Sequence, residues 1–223
     1  MTISETLGDP SWLFDLGFPI QRFDVTKSKT GLLDDLTWEL GKGHLLPEFS
    51  SLSSRNASPD FFAAWHERGI LIEVVVTMKS AKSSSFMNSI GLVCYVDSRS
   101  SRGIHRANAY CHRFVFQCTR PSSTKDRVQG EGELFSIPRA KEQPPAVNRL
   151  DLPFQLSLES EKKYRWRCFI KSSAMHGYNP VEFNEIGFSL KVNDPLAAGG
   201  GLARGDLAPV FEDPSLWCRG KLV

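Results

Sequence analysis

Across residues 150–170 the chain alternates apolar and polar side chains almost without a break, and this period of two constrains the fold more than any other feature. Leu150, Leu152, Phe154, Leu156 and Leu158 share one parity; Tyr164, Trp166, Cys168 and Ile170 repeat it after the acidic stretch Glu159-Ser160-Glu161, with Arg165 and Arg167 on the opposite parity. Alternation of this kind lays one face of a strand on a core, whereas a helix would scatter the same residues around its axis. The two runs predict a hairpin, and Pro153 predicts an edge or a bulge. A second run, Ile70, Ile72, Val74, Val76 and Met78, predicts a strand paired with residues 60–66 across Glu67-Arg68-Gly69.

Further strands are predicted over 90–97, 110–118, 133–137, 186–192 and 216–222. The segment 36–40 reads as a strand or a helical turn, and 171–176 as one helical turn ended by Gly177 and Pro180. Residues 45–59, 79–85, 121–132, 138–148 and 197–208 read as loops; Pro144-Pro145 forbids a helix in the fourth, and three consecutive glycines mark the last. About nine or ten turn-punctuated strands with almost no helix argue for an all-β chain, an antiparallel β-sandwich of immunoglobulin-like or jelly-roll type. No internal repeat supports a propeller or solenoid. One domain is expected over 1–223: a lead-in and edge strand over 1–59, the latter beginning at 19–25, and a core sandwich over 60–223.

Apolar residues make up 41% of the chain and charged residues 23%, enough to build a core. The net charge of +2 is too small to argue for nucleic acid. No apolar run reaches the length of a spanning helix, and residues 1–20 lack a basic start followed by an apolar stretch; no membrane association and a cytoplasmic location are expected. The five cysteines are scattered and odd in number, which suits free thiols, mostly buried, in a reducing compartment.

The chemically capable side chains concentrate in residues 91–119, where Asp97, Arg99, Arg102, His105, Arg106, Tyr110, Cys111, His112 and Arg113 crowd a strand-loop-strand unit. Thiolate and imidazole suit zinc, and His105, Cys111 and His112 have the ligand types. Cys111 and His112 are neighbours on a strand, however, and so point to opposite faces. No metal and no cofactor are expected, and His112 reads as a core histidine bonded to a backbone carbonyl. A nucleophile beside a base is available on paper, as Cys111 with His105 or His112, or as Ser98, Ser100 or Ser101 with His105 and Asp97. None stands in an elbow or helix-start context, so no catalytic residue is assigned. Arginine forks with a carboxylate suit polyol or carboxylate ligands, and Tyr110 borders them. Trp65, Trp217 and Trp38 are the candidate exposed platforms, whereas Trp166 alternates with core residues.

The order of parts, Trp-His-Glu-Arg-Gly-Ile-Leu-Ile-Glu-Val-Val-Val (65–76), a loop, then Gly-Leu-Val-Cys-Tyr-Val-Asp-Ser-Arg (91–99), resembles the β-sandwiches related to family 9 carbohydrate-binding modules. Ser89-Ile90-Gly91 stands near the position where those domains usually carry Asp-Gly. Residues 105–116, 187–194 and 213–217 resemble an uncharacterised bacterial branch of that superfamily. The resemblance implies sugar recognition, with aromatic rings stacking on the sugar and polar side chains fixing its hydroxyls; fold alone does not carry function.

The expectation is a non-catalytic, carbohydrate-binding-like domain whose partner is a saccharide or another polar small molecule. Its ligand contacts are sought among Asp97, Arg99, Arg102, His105, Arg106, Tyr110, Trp65 and Trp217. The rival from another class is a protein–protein or structural module without a small ligand. A hydrolase using the His105, Cys111 and His112 region stands third.

Overall fold

The structure is a computed structural model, and it describes residues 17–46, 57–78, 91–101, 103–117, 127–147, 151–160, 162–193 and 212–223. Its strands are β1 (Gly17–Arg22), β2 (Ala57–His66), β3 (Gly69–Met78), β4 (Gly91–Asp97), β5 (Cys111–Gln117), β6 (Arg127–Glu131), β7 (Glu133–Phe135), β8 (Pro153–Ser160), β9 (Lys163–Lys171), β10 (Glu185–Asn193) and β11 (Cys218–Leu222). Short 3₁₀ turns stand between the strands, one of them Ser172–Ala174 at the place where a helical turn was expected.

The strand order β6-β8-β9-β3-β2-β1-β11-β10-β4-β5-β7 runs unbroken through two layers that face one another. One layer holds β6, β8, β9, β3 and β2; the other holds β11, β10, β4, β5 and β7; β1 turns the corner between them, so the sheet is nearly closed. Gly17 to Ile20 pair with β11 and Gln21 and Arg22 pair with β2, both in parallel, while the other pairings are antiparallel. The strand expected at an edge is therefore internal. Its sequence carries only two core side chains, Phe18 and Ile20, and gives no sign that both of its backbone sides are bonded.

Between the layers lies the main core, built from the predicted parity sets: Ile70, Ile72, Val74 and Val76 of β3, Phe154 and Leu156 of β8, Tyr164, Trp166, Cys168 and Ile170 of β9, Phe114 and Phe116 of β5, and Ile186, Phe188, Leu190 and Val192 of β10. The β8–β9 and β2–β3 hairpins pair as predicted, the second through the two-residue turn Glu67-Arg68. Pro153 is the first residue of β8 and sits opposite Glu131. It marks a strand start, where no ladder N–H is missed, and the edge is β6. That strand falls where a loop was expected, because Arg127, Gln129 and Glu131 are exposed and Val128 is its one buried residue.

Both outer faces are also covered. Phe23, Leu33, Leu36, Trp38 and Leu40 from the segment after β1 pack on Ala64, Leu71 and Phe169. Trp38, expected as an exposed platform, is fully buried there, with its indole N–H donating to the Leu33 carbonyl at 2.8 Å. The same face buries Glu73, whose carboxylate accepts from Arg165 at 2.6 Å and Arg167 at 3.0 Å; Arg167 also bonds Glu39 at 3.1 Å, tying the wrapping segment to the sheet. Loss of hydration raises the Glu73 pKa, and the two guanidinium groups oppose the rise. On the other layer Val93, Tyr95, Cys111, Ala107, Ile137 and Trp217 form a third apolar cluster.

Candidate functional site

The register of the strands fixes which connectors share an end of the sandwich. Asp97 pairs with Cys111 and Gly187, and Gly69 pairs with Lys171. The β2–β3 turn, the β4–β5 connector (98–110) and the β9–β10 connector (172–184) therefore emerge together.

Asp97 organises the β4–β5 connector. Its carboxylate is 2% exposed and accepts from the backbone N–H of Arg99 at 3.0 Å and of Ser101 at 2.6 Å. Burial raises its pKa and these backbone donors hold it down. A carboxylate bonded in this way shapes a turn. Asp97, expected as a ligand contact, is placed by the structure at the root of this loop as the residue that forms it.

Three contacts then staple the β9–β10 connector to the β4–β5 connector and to β5 beside it. The Ser98 hydroxyl donates to the His176 carbonyl at 2.6 Å. His112 accepts from the His176 backbone N–H on Nε2 at 2.8 Å, while its Nδ1 lies 3.3 Å from the Val96 carbonyl. The ring is thus the neutral Nδ1–H tautomer, and burial pushes its pKa down to about 4. Finally, the rings of Tyr110 and His176 stack, with centroids 5.2 Å apart and planes within 8°. Gly177 closes the corner in left-handed backbone, with φ of 75°, and a Cβ there would lie 2.7 Å from the Tyr110 ring and 3.0 Å from Arg99 Nε.

Arg99 lies in the middle of this arrangement. Its guanidinium carbon is 3.5 Å from the Phe183 ring centroid and 5.3 Å from that of Tyr110. Among the described residues its side chain has no hydrogen-bond acceptor; Nε is enclosed without a partner, and the two terminal nitrogens are not enclosed. Tyr178 carries the same connector to the β2–β3 turn, its hydroxyl donating to the His66 carbonyl at 3.0 Å. Trp65 stands at that side of the rim, half-buried, with its N–H donating to the Val223 carbonyl at 3.0 Å and the Arg22 guanidinium 5.8 Å over its ring.

The remaining expected contacts disperse. Arg102 lies outside the described residues. His105 is well exposed, and Arg106 is held by the Arg139 carbonyl at 2.8 Å. Trp217 is 2% exposed and packs on Tyr95 with centroids 5.5 Å apart; a ring covered on this scale offers no platform. Its parity misled because the outer face of the sheet is covered as well as the inner one.

His105 approaches Asp213 at 3.2 Å and the Ser215 hydroxyl at 3.1 Å, which brings the three residue types of a hydrolytic triad together. Both contacts fall on the same ring nitrogen, Nδ1, and Ser215 donates to Asp213 at 2.6 Å. A general base needs the acid on one nitrogen and the nucleophile on the other, so this cluster caps a 3₁₀ turn instead of relaying a proton. Cys111 is buried on the outer side of β5 and His112 on the inner side, as strand alternation requires; burial pushes the Cys111 thiol up to about 12, far from a reactive thiolate.

The sequence reading missed His176, Gly177, Tyr178 and Phe183. The motif His-Gly-Tyr-Asn-Pro (176–180) signals a turn, but only the β9–β10 register brings it over Arg99.

No family model and no curated protein matches the chain. Among solved structures, a family 9 carbohydrate-binding module from Caldicellulosiruptor kristjanssonii in complex with cellotriose matches with a TM-score of 0.56 and 12% identity, over 93% of each chain. The same kind of module from that organism in complex with glucose matches with a TM-score of 0.58 and 12% identity, over 93% of this chain and 96% of the other. The chain has a family 9 carbohydrate-binding-module-like fold.

Proposed function

We propose that this chain is a non-catalytic carbohydrate-binding domain that holds a sugar at the rim formed by the β4–β5 and β9–β10 connectors. The observation that supports the reading most is Arg99: a guanidinium with no acceptor among the described residues, against the rings of Phe183 and the half-buried Tyr110, which stacks on the exposed His176. Sugars present apolar C–H faces edged by hydroxyls, so ring faces and outward N–H donors side by side are the matching surface. The staples from Ser98 and His112 hold these groups before any ligand arrives, which lowers the ordering cost of binding. The sugar-bound state of the structural neighbours agrees with the reading.

The test is a backbone amide NMR titration with a panel of neutral and acidic mono- and oligosaccharides. Shifts are expected at residues 97–101, 110 and 176–183. Tyr110→Ala should weaken binding roughly tenfold, the equivalent of about 1.4 kcal/mol, while the thermal transition stays cooperative. A panel that leaves these amides unmoved removes the carbohydrate reading and leaves the interaction-module alternative.

A further inference from the structure

Cations at this end of the sandwich are mostly neutralised in place. Arg22 makes a two-point pair with Glu67, both bonds at 3.0 Å. Arg68 faces Asp34 at 3.4 Å, and Lys171 faces Asp34 at 2.6 Å and bonds Asp151 as well. Arg99 is different. Asp97, two residues away, has committed its oxygens to the N–H groups of Arg99 and Ser101 and does not reach the guanidinium. Glu182, the neighbour of Phe183, is held by the Asn179 side chain at 3.1 Å. The ring of Phe183 covers one face of the fork, and Gly177 closes on Nε, so the charge is partly stripped of water with no anion beside it among the described residues.

Hydroxyl oxygens would accept hydrogen bonds from this fork but leave its charge unanswered. An oxyanion answers both, because the guanidinium presents paired N–H donors that match two oxygens of one acid group. We propose that the saccharide taken by this rim carries an acidic group, a carboxylate or a sulfate ester, and that Arg99 receives it; the inference rests on the carbohydrate-binding reading above. The aromatic faces of Phe183 and Tyr110 keep the fork in one plane, so little side-chain freedom is lost when the acid docks.

The test compares three sugars that differ only at C6: glucose, glucuronate and glucose 6-sulfate. Each is titrated into the full chain by NMR at low and at high salt. At least one acidic sugar should bind more than ~10-fold tighter than glucose, the scale of one charge-assisted hydrogen bond, and whichever does identifies the acid. The preference should shrink in high salt and vanish in Arg99→Gln. Glucose binding as tightly as both acidic sugars overturns the inference while the carbohydrate reading stands. Silence from all three and from the wider panel removes both. Should Arg99→Gln fail to fold, the salt series on the natural chain decides: an acid preference that salt does not weaken overturns the role given to Arg99.

Discussion

Lowering the pH should unfasten the β9–β10 connector through one side chain, His112. Its ring donates from Nδ1 to the Val96 carbonyl and accepts on Nε2 from the His176 N–H at 2.8 Å. Protonation turns Nε2 into a donor facing a donor, next to the His176 imidazole and on a fully buried ring. The folded-state pKa of about 4 lies below the ordinary 6.5, so the unfolded chain takes up the proton first. Stability from this group is fully present above pH 6.5 and is lost as the pH falls toward 4. At about 1.4 kcal/mol per pH unit, that window amounts to about 3 kcal/mol. Asp97 and Glu73 have pKa values raised by burial and act with the opposite sign over acidic pH, so the natural chain alone would blur the effect. His112→Gln removes the titration while keeping a side chain able to donate and accept. Urea unfolding of both proteins from pH 7 down to 4 gives the stability gap at each pH. The natural chain should lose about 3 kcal/mol relative to the variant across the range. A gap constant to within ~0.5 kcal/mol, the scatter of a surface substitution, refutes the coupling.

Two further substitutions probe the frame around the site. Gly69 has φ of 144°, and a Cβ there would lie 2.1 Å from the Ile170 carbonyl oxygen; Gly69→Ala should cost at least ~2 kcal/mol by chemical denaturation, and a change below ~0.5 kcal/mol would show that the turn is not held as described. Ser189 is 1% exposed with its hydroxyl unpartnered among the described residues; Ser189→Ala should therefore stabilise the protein by about 1 kcal/mol, and a loss of stability would point to a partner for that hydroxyl.

Strand parity was legible because it is a local property with a global cause. Residues 70–76 and 164–170 alternate so strictly that their inner faces could be named before the layers were known, and the buried set of the main core repeats those names. The same logic separated Cys111 from His112 and predicted His112 as a core histidine on a backbone carbonyl. Parity failed wherever both faces of a strand are covered. Trp217 became a candidate platform because it alternates oppositely to Leu216 and Cys218, and Trp38 because it stands between Thr37 and Glu39, yet both are buried in the apolar clusters on the outer faces.

The sequence by itself determined that this chain builds strands, where most of them turn, and which side chains meet in the middle, because these follow from a two-residue repeat and from Gly and Pro positions along a single stretch of backbone. It also marked the loop after Asp97 as the place to look. Only the tertiary structure decided that β1 closes the corner between two layers and that the segment 172–184 folds over that loop. It alone showed Asp97 forming the turn and left Arg99 against Phe183 and Tyr110 without a counter-ion among the described residues. Those outcomes depend on pairing across 84 positions, from Arg99 to Phe183, and no local pattern in the chain records which distant connector a strand register will bring to the same end.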